Sequence, residues 1–136
     1  MGDEKVHSYG LLIVDDFPED VEQLTDLAER AGLVVLASTR NAADTIAFLQ
    51  DHSPDCALVD YRLGPDDGVS LLEVLSKRWP DLPTVAMSGQ GNDQISVASR
   101  KAGAVRYLTK RGLDSEMLRS AVEEAMRWKR HTRNSR

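Results

Sequence analysis

The sequence predicts an α/β protein in which a parallel β-sheet is covered by helices on both faces. Short apolar runs alternate five times along the chain with longer segments of helical period, and Gly or Pro residues separate most of them. Five strand–helix units in alternation give a parallel sheet joined by right-handed crossover connections. In such sheets, ligands bind at the carboxyl ends of the strands.

The five predicted strands are short apolar runs. A strand in the middle of a parallel sheet is covered on both faces, so its side chains are apolar without alternation. The first run ends in Asp15-Asp16 and the third ends at Asp60. We expect the strands at residues 9–14, 33–37, 56–59, 84–87 and 105–108.

The helices between these strands have recognisable starts and ends. Pro18 opens the first helix and Gly32 ends it, whereas Asn41 is a typical N-cap for the second. We expect the third helix to follow Gly68, the fourth to cover about 93–102 and the fifth to cover 113–130. The predicted inner face of the second helix is Ala43, Ile46, Ala47 and Leu49. The predicted inner face of the fifth is Leu113, Met117, Leu118, Ala121, Val122 and Ala125.

Length and composition indicate one ordinary globular domain. The chain has 136 residues, of which 41% are hydrophobic and 29% are charged. We expect a single domain over 1–136, with a core at about 9–130 and tails at 1–8 and 131–136. The net charge of −5 argues against nucleic acid as a partner. The basic residues after position 118 are interpreted as cations at a helix C-terminus followed by a solvated tail.

The sequence contains no feature of an exported or membrane protein. The single cysteine, Cys56, lies in an apolar run and is interpreted as a core residue, which suits a reducing cytoplasm. No apolar run approaches the roughly 18 residues that span a bilayer, and no secretion signal is apparent. We therefore expect a cytoplasmic protein without a membrane segment.

Polar residues follow four of the predicted strands. Asp15 and Asp16 follow the first strand, Asp60 follows the third, Ser88 the fourth and Lys110 the fifth. Clustered carboxylates repel one another and need a cation, and oxygen ligands without His or Cys suit Mg²⁺. The lysine and the hydroxyl would then bind an anionic group such as a phosphoryl. Each residue alone is more often a turn or surface residue, but their shared position at strand ends favours a site.

With these residues in place, the sequence resembles the receiver domain of two-component response regulators over about residues 9–130. The resemblance implies a flavodoxin-like (βα)5 three-layer sandwich with strand order 2-1-3-4-5. It also implies that Asp60 accepts a phosphoryl group from a phosphohistidine donor in a Mg²⁺-dependent reaction, with Mn²⁺ as a substitute. The protein would be a signalling switch rather than an enzyme with substrate turnover.

The resemblance assigns a role to each site residue. Asp15 and Asp16 would bind the metal together with Asp60 and the backbone carbonyl of Arg62, and the resemblance favours Asp16 over Asp15 as a direct ligand. Lys110 and Ser88 would contact the phosphoryl group. Ser88 and Tyr107 would form a switch, and Gly68 would close the loop after Asp60. We further hypothesise that the side chains of Arg62 and Gln90 tune how readily water reaches the phosphoryl group.

Two positions depart from the family pattern. Arg111 follows Lys110 where the family often has a proline with a cis bond, so we expect a trans bond and a looser lysine loop. Gly64 occupies a position where the family more often has proline. Neither change removes a reacting group.

The implied partners are a histidine kinase or a histidine phosphotransfer protein. A homodimer would form through the fourth helix, fifth strand and fifth helix, or through the C-terminal helix, where Trp128 is either a core residue or a dimer contact. The chain could instead be the receiver unit of a larger hybrid kinase or cyclic-dinucleotide signalling protein. A Mg²⁺-dependent aspartyl phosphatase is disfavoured, because it needs an acid where Arg62 stands. A receiver-like domain that never takes phosphate is opposed by the complete acidic set.

Overall fold

The computed structural model describes residues 8–134, with side chains up to residue 132, so part of each predicted tail lies outside the described residues. The elements follow one another along the chain in the predicted alternation of strands and helices. In chain order they are β1 Gly10–Val14, α1 Pro18–Arg30, β2 Val34–Thr39, α2 Ala42–Asp51, β3 Cys56–Asp60, β4 Arg62–Leu63, β5 Asp66–Asp67, α3 Gly68–Arg78, β6 Thr84–Ser88, α4 Asp93–Lys101, β7 Arg106–Thr109 and α5 Ser115–Asn134.

Five strands form one parallel sheet in the order β2-β1-β3-β6-β7. Since β6 and β7 are the fourth and fifth predicted strands, this confirms the order 2-1-3-4-5 and the flavodoxin-like class. The order reverses at β1, with β2 on one side and β3 on the other. Val14 lies beside Val59, and Asp60 lies beside Met87. This register brings the ends of β1, β3 and β6 to one edge of the sheet.

The core is divided between the two faces of the sheet. In β1, Leu11 and Ile13 pack with Leu24 of α1 and Leu118 of α5. The alternate residues, Leu12 and Val14, pack on the opposite face with α2 and α3, including a cluster of leucines at Leu49, Leu71, Leu72 and Leu75. Because successive strand residues point to opposite faces, one apolar run serves both halves of the core. The result is the predicted three-layer sandwich.

The predicted helix ends are confirmed where a specific residue type supplied the signal. Pro18 begins α1, and Gly32 follows the end of that helix with a positive φ of 79°. The Asn41 side chain accepts a hydrogen bond of 2.7 Å from the backbone N–H of Asp44 and so caps α2.

Cys56 is fully buried, as predicted. The bond between Lys110 and Arg111 is trans.

The predicted inner face of α2 is confirmed at Leu49 but is wrong at the two alanines. Ala43 and Ala47 are exposed and Ile46 is half-buried, whereas Thr45 and Leu49 are buried. The Thr45 hydroxyl lies 2.7 Å from the Thr39 hydroxyl and donates a hydrogen bond of 2.8 Å to the Asn41 carbonyl. These bonds satisfy a polar group that apolar periodicity assigns to solvent.

The fifth helix also differs from its predicted form. It begins at Ser115 and extends to Asn134, and the Asp114 side chain accepts a hydrogen bond of 2.8 Å from the N–H of Met117 in its first turn. Met117 was predicted to face inward but is 45% exposed, because the inward position of this turn is taken by Leu118. Leu113 precedes the helix and packs against the core.

The segment after Asp60 contains a short hairpin that the sequence did not predict. Strand β4 pairs antiparallel with β5, so that Arg62 lies opposite Asp67 and Leu63 opposite Asp66. Leu63 is fully buried, and the Asp66 carboxylate accepts a hydrogen bond of 2.8 Å from the Ala42 N–H. The hairpin therefore connects the segment after Asp60 with the first turn of α2.

Among the described helices, none is both long enough and apolar enough to cross a bilayer.

Candidate functional site

The predicted site residues meet at the carboxyl edge of the sheet. Asp15 follows β1, Asp60 ends β3, Ser88 ends β6 and Lys110 follows β7. A cleft of about 500 Å³ opens at this edge. Its lining includes Asp16, Asp20, Asp60, Arg62, Ser88, Gln90 and Lys110. The arrangement follows from the parallel sheet, in which every strand ends on the same side.

Three carboxylates form the acidic part of the site. Asp15, Asp16 and Asp60 can each offer an oxygen such that all three oxygens lie within 4.8 Å of one another. Asp15 is only 1% exposed, and its carboxylate accepts a hydrogen bond of 3.0 Å from the Phe17 N–H. An all-oxygen, multiply anionic set of this kind fits a hard divalent cation such as Mg²⁺. The cluster could therefore hold a metal ion.

Lys110 supplies the positive charge at the site. Its ammonium lies 2.6 Å from an Asp15 oxygen, 2.7 Å from an Asp20 oxygen and 3.4 Å from an Asp60 oxygen. Its backbone N–H donates a hydrogen bond of 2.7 Å to the Ser88 carbonyl, which fixes the lysine loop to the end of β6. Burial by itself would lower the pKa of Lys110, but hydrogen bonds to Asp15 and Asp20, together with the negative charges of Asp60 and Asp15, outweigh burial and raise the pKa. The lysine is therefore held as a cation.

Burial acts on Asp60 in the opposite way. It raises the pKa of this carboxyl to about 6, against the effect of Lys110, which lowers it, while the charge of Asp15 adds to the increase. Burial disfavours the ionised form because the anion loses its hydration. A divalent cation between the three carboxylates would favour the ionised form again, which is the form that can act as a nucleophile.

Asp20 is a residue of the candidate site that the sequence did not predict. It lies in the first turn of α1 and is separated from Lys110 by 90 residues, yet the two side chains form an ion pair. An acidic residue in the first turn of a helix is ordinarily explained by the helix dipole. Only the tertiary structure distinguishes Asp20 from its neighbour Glu19, which shares that first turn.

Ser88 is oriented by groups on its own edge of the sheet. Its hydroxyl lies 2.6 Å from the Gln90 carbonyl and also contacts the Tyr107 hydroxyl. Tyr107 in turn donates a hydrogen bond of 3.2 Å to the Gln90 carbonyl. The structure thus brings Ser88 and Tyr107 together, with the backbone carbonyl of Gln90 as their common partner. The Gln90 and Arg62 side chains are exposed in the lining of the cleft.

Two glycines allow the chain to pass close to the backbone after β3 and to the Asp16 carboxylate. A Cβ atom at Gly68 would lie 2.2 Å from the Asp60 carbonyl oxygen and 2.8 Å from that of Tyr61, so this position has no room for a side chain. Gly64 has a φ of +63°, and a Cβ there would lie 3.0 Å from an Asp16 carboxylate oxygen. Proline, which the family more often has at this position, requires a φ near −65° and would not fit this backbone conformation. Glycine does fit it.

The comparison with known families identifies the chain. Residues 11–123 match the family model of the response regulator receiver domain. The chain therefore belongs to the response regulator receiver family of two-component signalling. Receivers of this family act in general as signalling switches and bind Mg²⁺.

The curated relatives of this chain include several bacterial regulatory proteins. The photosynthetic apparatus regulatory protein RegA of Cereibacter sphaeroides is 37% identical over 100 residues, which cover 74% of this chain and 54% of RegA. The acid tolerance regulatory protein ActR of Sinorhizobium medicae is 30% identical over 113 residues, which cover 83% of this chain and 58% of ActR. The chain thus spans little more than half the length of these relatives.

Solved structures show the same fold. The signal receiver domain of a modulated diguanylate cyclase from Desulfovibrio desulfuricans G20 is 26% identical, with a TM-score of 0.81 over 93% of this chain and 99% of that chain. A CheY-like receiver domain protein from Methanospirillum hungatei JF-1 is 25% identical, with a TM-score of 0.79 and the same coverage of both chains. Receivers that differ widely in sequence thus share this architecture.

Proposed function

We propose that Asp60 accepts a phosphoryl group from the phosphohistidine of a histidine kinase or a histidine phosphotransfer protein. The observation that carries the proposal is the position of Asp60 at the end of β3, with Asp15, Asp16 and Lys110 around it. Asp60 is 6% exposed but borders the cleft, so a donor can reach it from one direction. That restriction favours the in-line geometry that phosphoryl transfer requires.

In the proposed reaction, an Asp60 carboxylate oxygen attacks the phosphorus atom of the donor. A new O–P bond forms as the bond from phosphorus to the imidazole nitrogen breaks, and the nitrogen keeps the electron pair. When bound by Asp15, Asp16, Asp60 and the Arg62 carbonyl, Mg²⁺, or Mn²⁺ in its place, would neutralise charge on the carboxylates and on the phosphoryl oxygens. Lys110 binds a phosphoryl oxygen, and Ser88 donates a hydrogen bond to another. The side chains of Arg62 and Gln90 tune the access of water.

We infer that the signal leaves through α4, β7 and α5. To reach a phosphoryl group, the Ser88 hydroxyl has to leave its partners, the Gln90 carbonyl and the Tyr107 hydroxyl. The tyrosine ring lies on β7, so its rearrangement would change the surface between α4 and α5. Exposed Val97 on α4 and the pair of Arg106 with Glu124, 2.7 Å apart, lie on these elements and could contact a partner or a second copy of this chain.

The receiver can belong to a larger protein. The relatives RegA and ActR are almost twice as long as the matched segment, and one structural neighbour is the receiver of a diguanylate cyclase. A hybrid kinase or a cyclic-dinucleotide signalling protein is therefore the alternative context for the same chemistry.

We place this chemistry in the reducing cytoplasm, where the buried thiol of Cys56 would persist. No feature of the site favours the phosphatase, since Arg62 is no proton donor for a leaving group.

The proposal is tested with acetyl phosphate, with Mg²⁺ and with excess EDTA. The wild-type protein is expected to gain the mass of one phosphoryl group only with Mg²⁺, and Asp60→Asn is expected to gain none. Asp67→Asn is a matched control, because Asp67 is an exposed carboxylate that caps α3. An adduct that survives in Asp60→Asn would overturn the assignment. Steady hydrolysis of p-nitrophenyl phosphate by the wild type would favour a phosphatase instead.

A further inference from the structure

The ammonium of Lys110 is shared unequally among three carboxylates. It lies within 2.7 Å of Asp15 and Asp20 oxygens but 3.4 Å from the nearest Asp60 oxygen. A lysine ammonium has three N–H donors, and the two short contacts engage two of them. A phosphoryl group on Asp60 would need the positive charge of Lys110 beside it. In this structure that charge is directed mainly toward Asp15 and Asp20.

Asp20 differs from the other carboxylates around this lysine. The three acids that could hold a cation together are Asp15, Asp16 and Asp60, and Asp20 is outside that set. A metal ion at the cluster would compete with Lys110 for Asp15, but Asp20 would keep its negative charge for the lysine. The side chains of Lys110 and Asp20 are 13% and 28% exposed, so solvent screens their attraction only in part.

We propose that Asp20 is a positioning residue that holds the Lys110 ammonium away from Asp60 and thereby lowers the affinity of the site for a phosphoryl group. The inference rests on the proposed function, since it concerns the same lysine and the same acceptor. A phosphoryl group on Asp60 must draw Lys110 toward its own oxygens, and Asp20 resists that movement. The carboxylate of Asp20 also repels the incoming phosphoryl charge directly, which acts in the same direction.

Glu19 separates this role from a general effect of acidic residues in α1. Both residues lie in the first turn of the helix, where a negative charge is stabilised by the helix dipole. Glu19 is exposed, whereas Asp20 is half-buried beside the lysine. A change from Glu19 to Gln removes the same unit of charge one residue away without removing the lysine contact.

The test measures binding of beryllofluoride, a phosphoryl mimic, in the presence of saturating Mg²⁺. Asp20→Asn is expected to bind the mimic about three- to tenfold more tightly than the wild type, the range given by a partly exposed, charge-assisted hydrogen bond. Glu19→Gln is expected to change the affinity less than about twofold. Without Mg²⁺, Asp20→Asn should unfold at a lower temperature than the wild type, because the resting ion pair is lost. Lower thermal stability with unchanged or weaker binding of the mimic would show that Asp20 is only structural, and would overturn the proposal.

A double-mutant cycle identifies the path of the effect. If Asp20 acts through the lysine, the gain in affinity should largely disappear when Asp20→Asn is combined with Lys110→Ala. A gain that persists in full without Lys110 would mean that Asp20 acts on the phosphoryl group through space alone, and would also overturn the positioning role.

The outcomes separate this inference from the proposed function. If the wild type forms no acetyl-phosphate adduct and binds no mimic, the proposed function fails. If the wild type does both and Asp20→Asn behaves like Glu19→Gln, only the role of Asp20 fails.

Discussion

Asp60 is subject to two opposing electrostatic influences. Burial raises its pKa to about 6, and Lys110 only partly offsets this increase. A carboxyl whose pKa is higher in the folded state than its ordinary value near 4 binds a proton more readily when folded than when unfolded. Between about pH 4 and pH 6, the folded state therefore binds more protons, and ionisation of Asp60 costs stability as the pH rises. The metal-free protein carries this cost in full above pH 6.

Removal of this charge is expected to stabilise the metal-free protein. In EDTA at pH 7.5, Asp60→Asn should raise the free energy of unfolding by about 1–2 kcal/mol, a value reduced from the full pKa difference because water partly screens the site. At pH 4.5 the difference should be much smaller, because the wild-type carboxyl is then largely neutral in the folded state. Urea denaturation at the two pH values measures it. Asp51→Asn, at an exposed position, is the control, and an equal gain at both pH values would contradict the argument.

Gly68 fixes the path of the chain directly after the acceptor. Gly68→Ala should lower the free energy of unfolding by about 1–3 kcal/mol, because its Cβ would overlap the Asp60 and Tyr61 carbonyl oxygens. Thermal denaturation measures the loss. Gly89→Ala is the matched control, because a Cβ there meets no atom within 4 Å. Equal effects of the two changes would refute the steric explanation.

The sequence predicts the position of candidate site residues well when they lie at strand ends and less well when they lie on helices. Asp60, Ser88 and Lys110 could be located because every strand of a parallel sheet ends at the same edge. Asp20 could not, because its role depends on a contact with a residue 90 positions away. The helix dipole alone explains an acidic residue in the first turn of α1, even without that contact.

At the scale of elements, one hydrogen-bonded group connects β7 with the loop between β6 and α4. The Tyr107 hydroxyl contacts Ser88 and donates a hydrogen bond to the Gln90 carbonyl. The loop that would cover a phosphoryl group is thus restrained by the element that would transmit the signal.

Loss of the Tyr107 hydroxyl should loosen this loop. In Tyr107→Phe, amide hydrogen exchange in residues 89–92 is expected to be up to about tenfold faster, the equivalent of one hydrogen bond of roughly 1 kcal/mol. Tyr61→Phe is the matched control, since it removes the hydroxyl of a half-buried tyrosine that lines the same cleft. Unchanged exchange in Tyr107→Phe would mean that the tyrosine does not restrain the loop.

The elements themselves were predictable to the extent that their signals were local. Asn41 and Pro18 marked helix starts, and apolar runs marked the five strands of the main sheet. The buried face of α2 was missed because Thr45 is satisfied by hydroxyl and carbonyl groups from β2 and from the helix cap. The hairpin of β4 and β5 was missed because two residues per strand carry no periodicity.

At the scale of the whole molecule, a cation bound by the acidic cluster would stabilise the folded state. Mg²⁺ that binds only the folded state stabilises it by about 2.7 kcal/mol at one hundred times the dissociation constant. We therefore expect Mg²⁺ to raise the melting temperature of the wild type at pH 7.5 by several degrees and EDTA to reverse the increase. Differential scanning calorimetry at constant ionic strength measures this.

Asp16→Asn provides the comparison for the metal experiment. The change removes one of the three carboxylates that could hold the ion, so the increase with Mg²⁺ should be much smaller. If Asp16→Asn responds to Mg²⁺ as strongly as the wild type, the ion binds elsewhere.

The contact between Lys110 and Asp15 joins residues 95 positions apart. During synthesis, a chain that has emerged only as far as α4 already carries the acids at the ends of β1 and β3, but not the lysine that partly neutralises them. The acidic edge can be completed only when β7 has been added at the far side of the sheet. A nascent or truncated chain that stops before residue 110 would therefore lack the lysine that the proposed phosphoryl transfer to Asp60 requires. Only a chain whose sheet is fully assembled could then accept a phosphoryl group and signal.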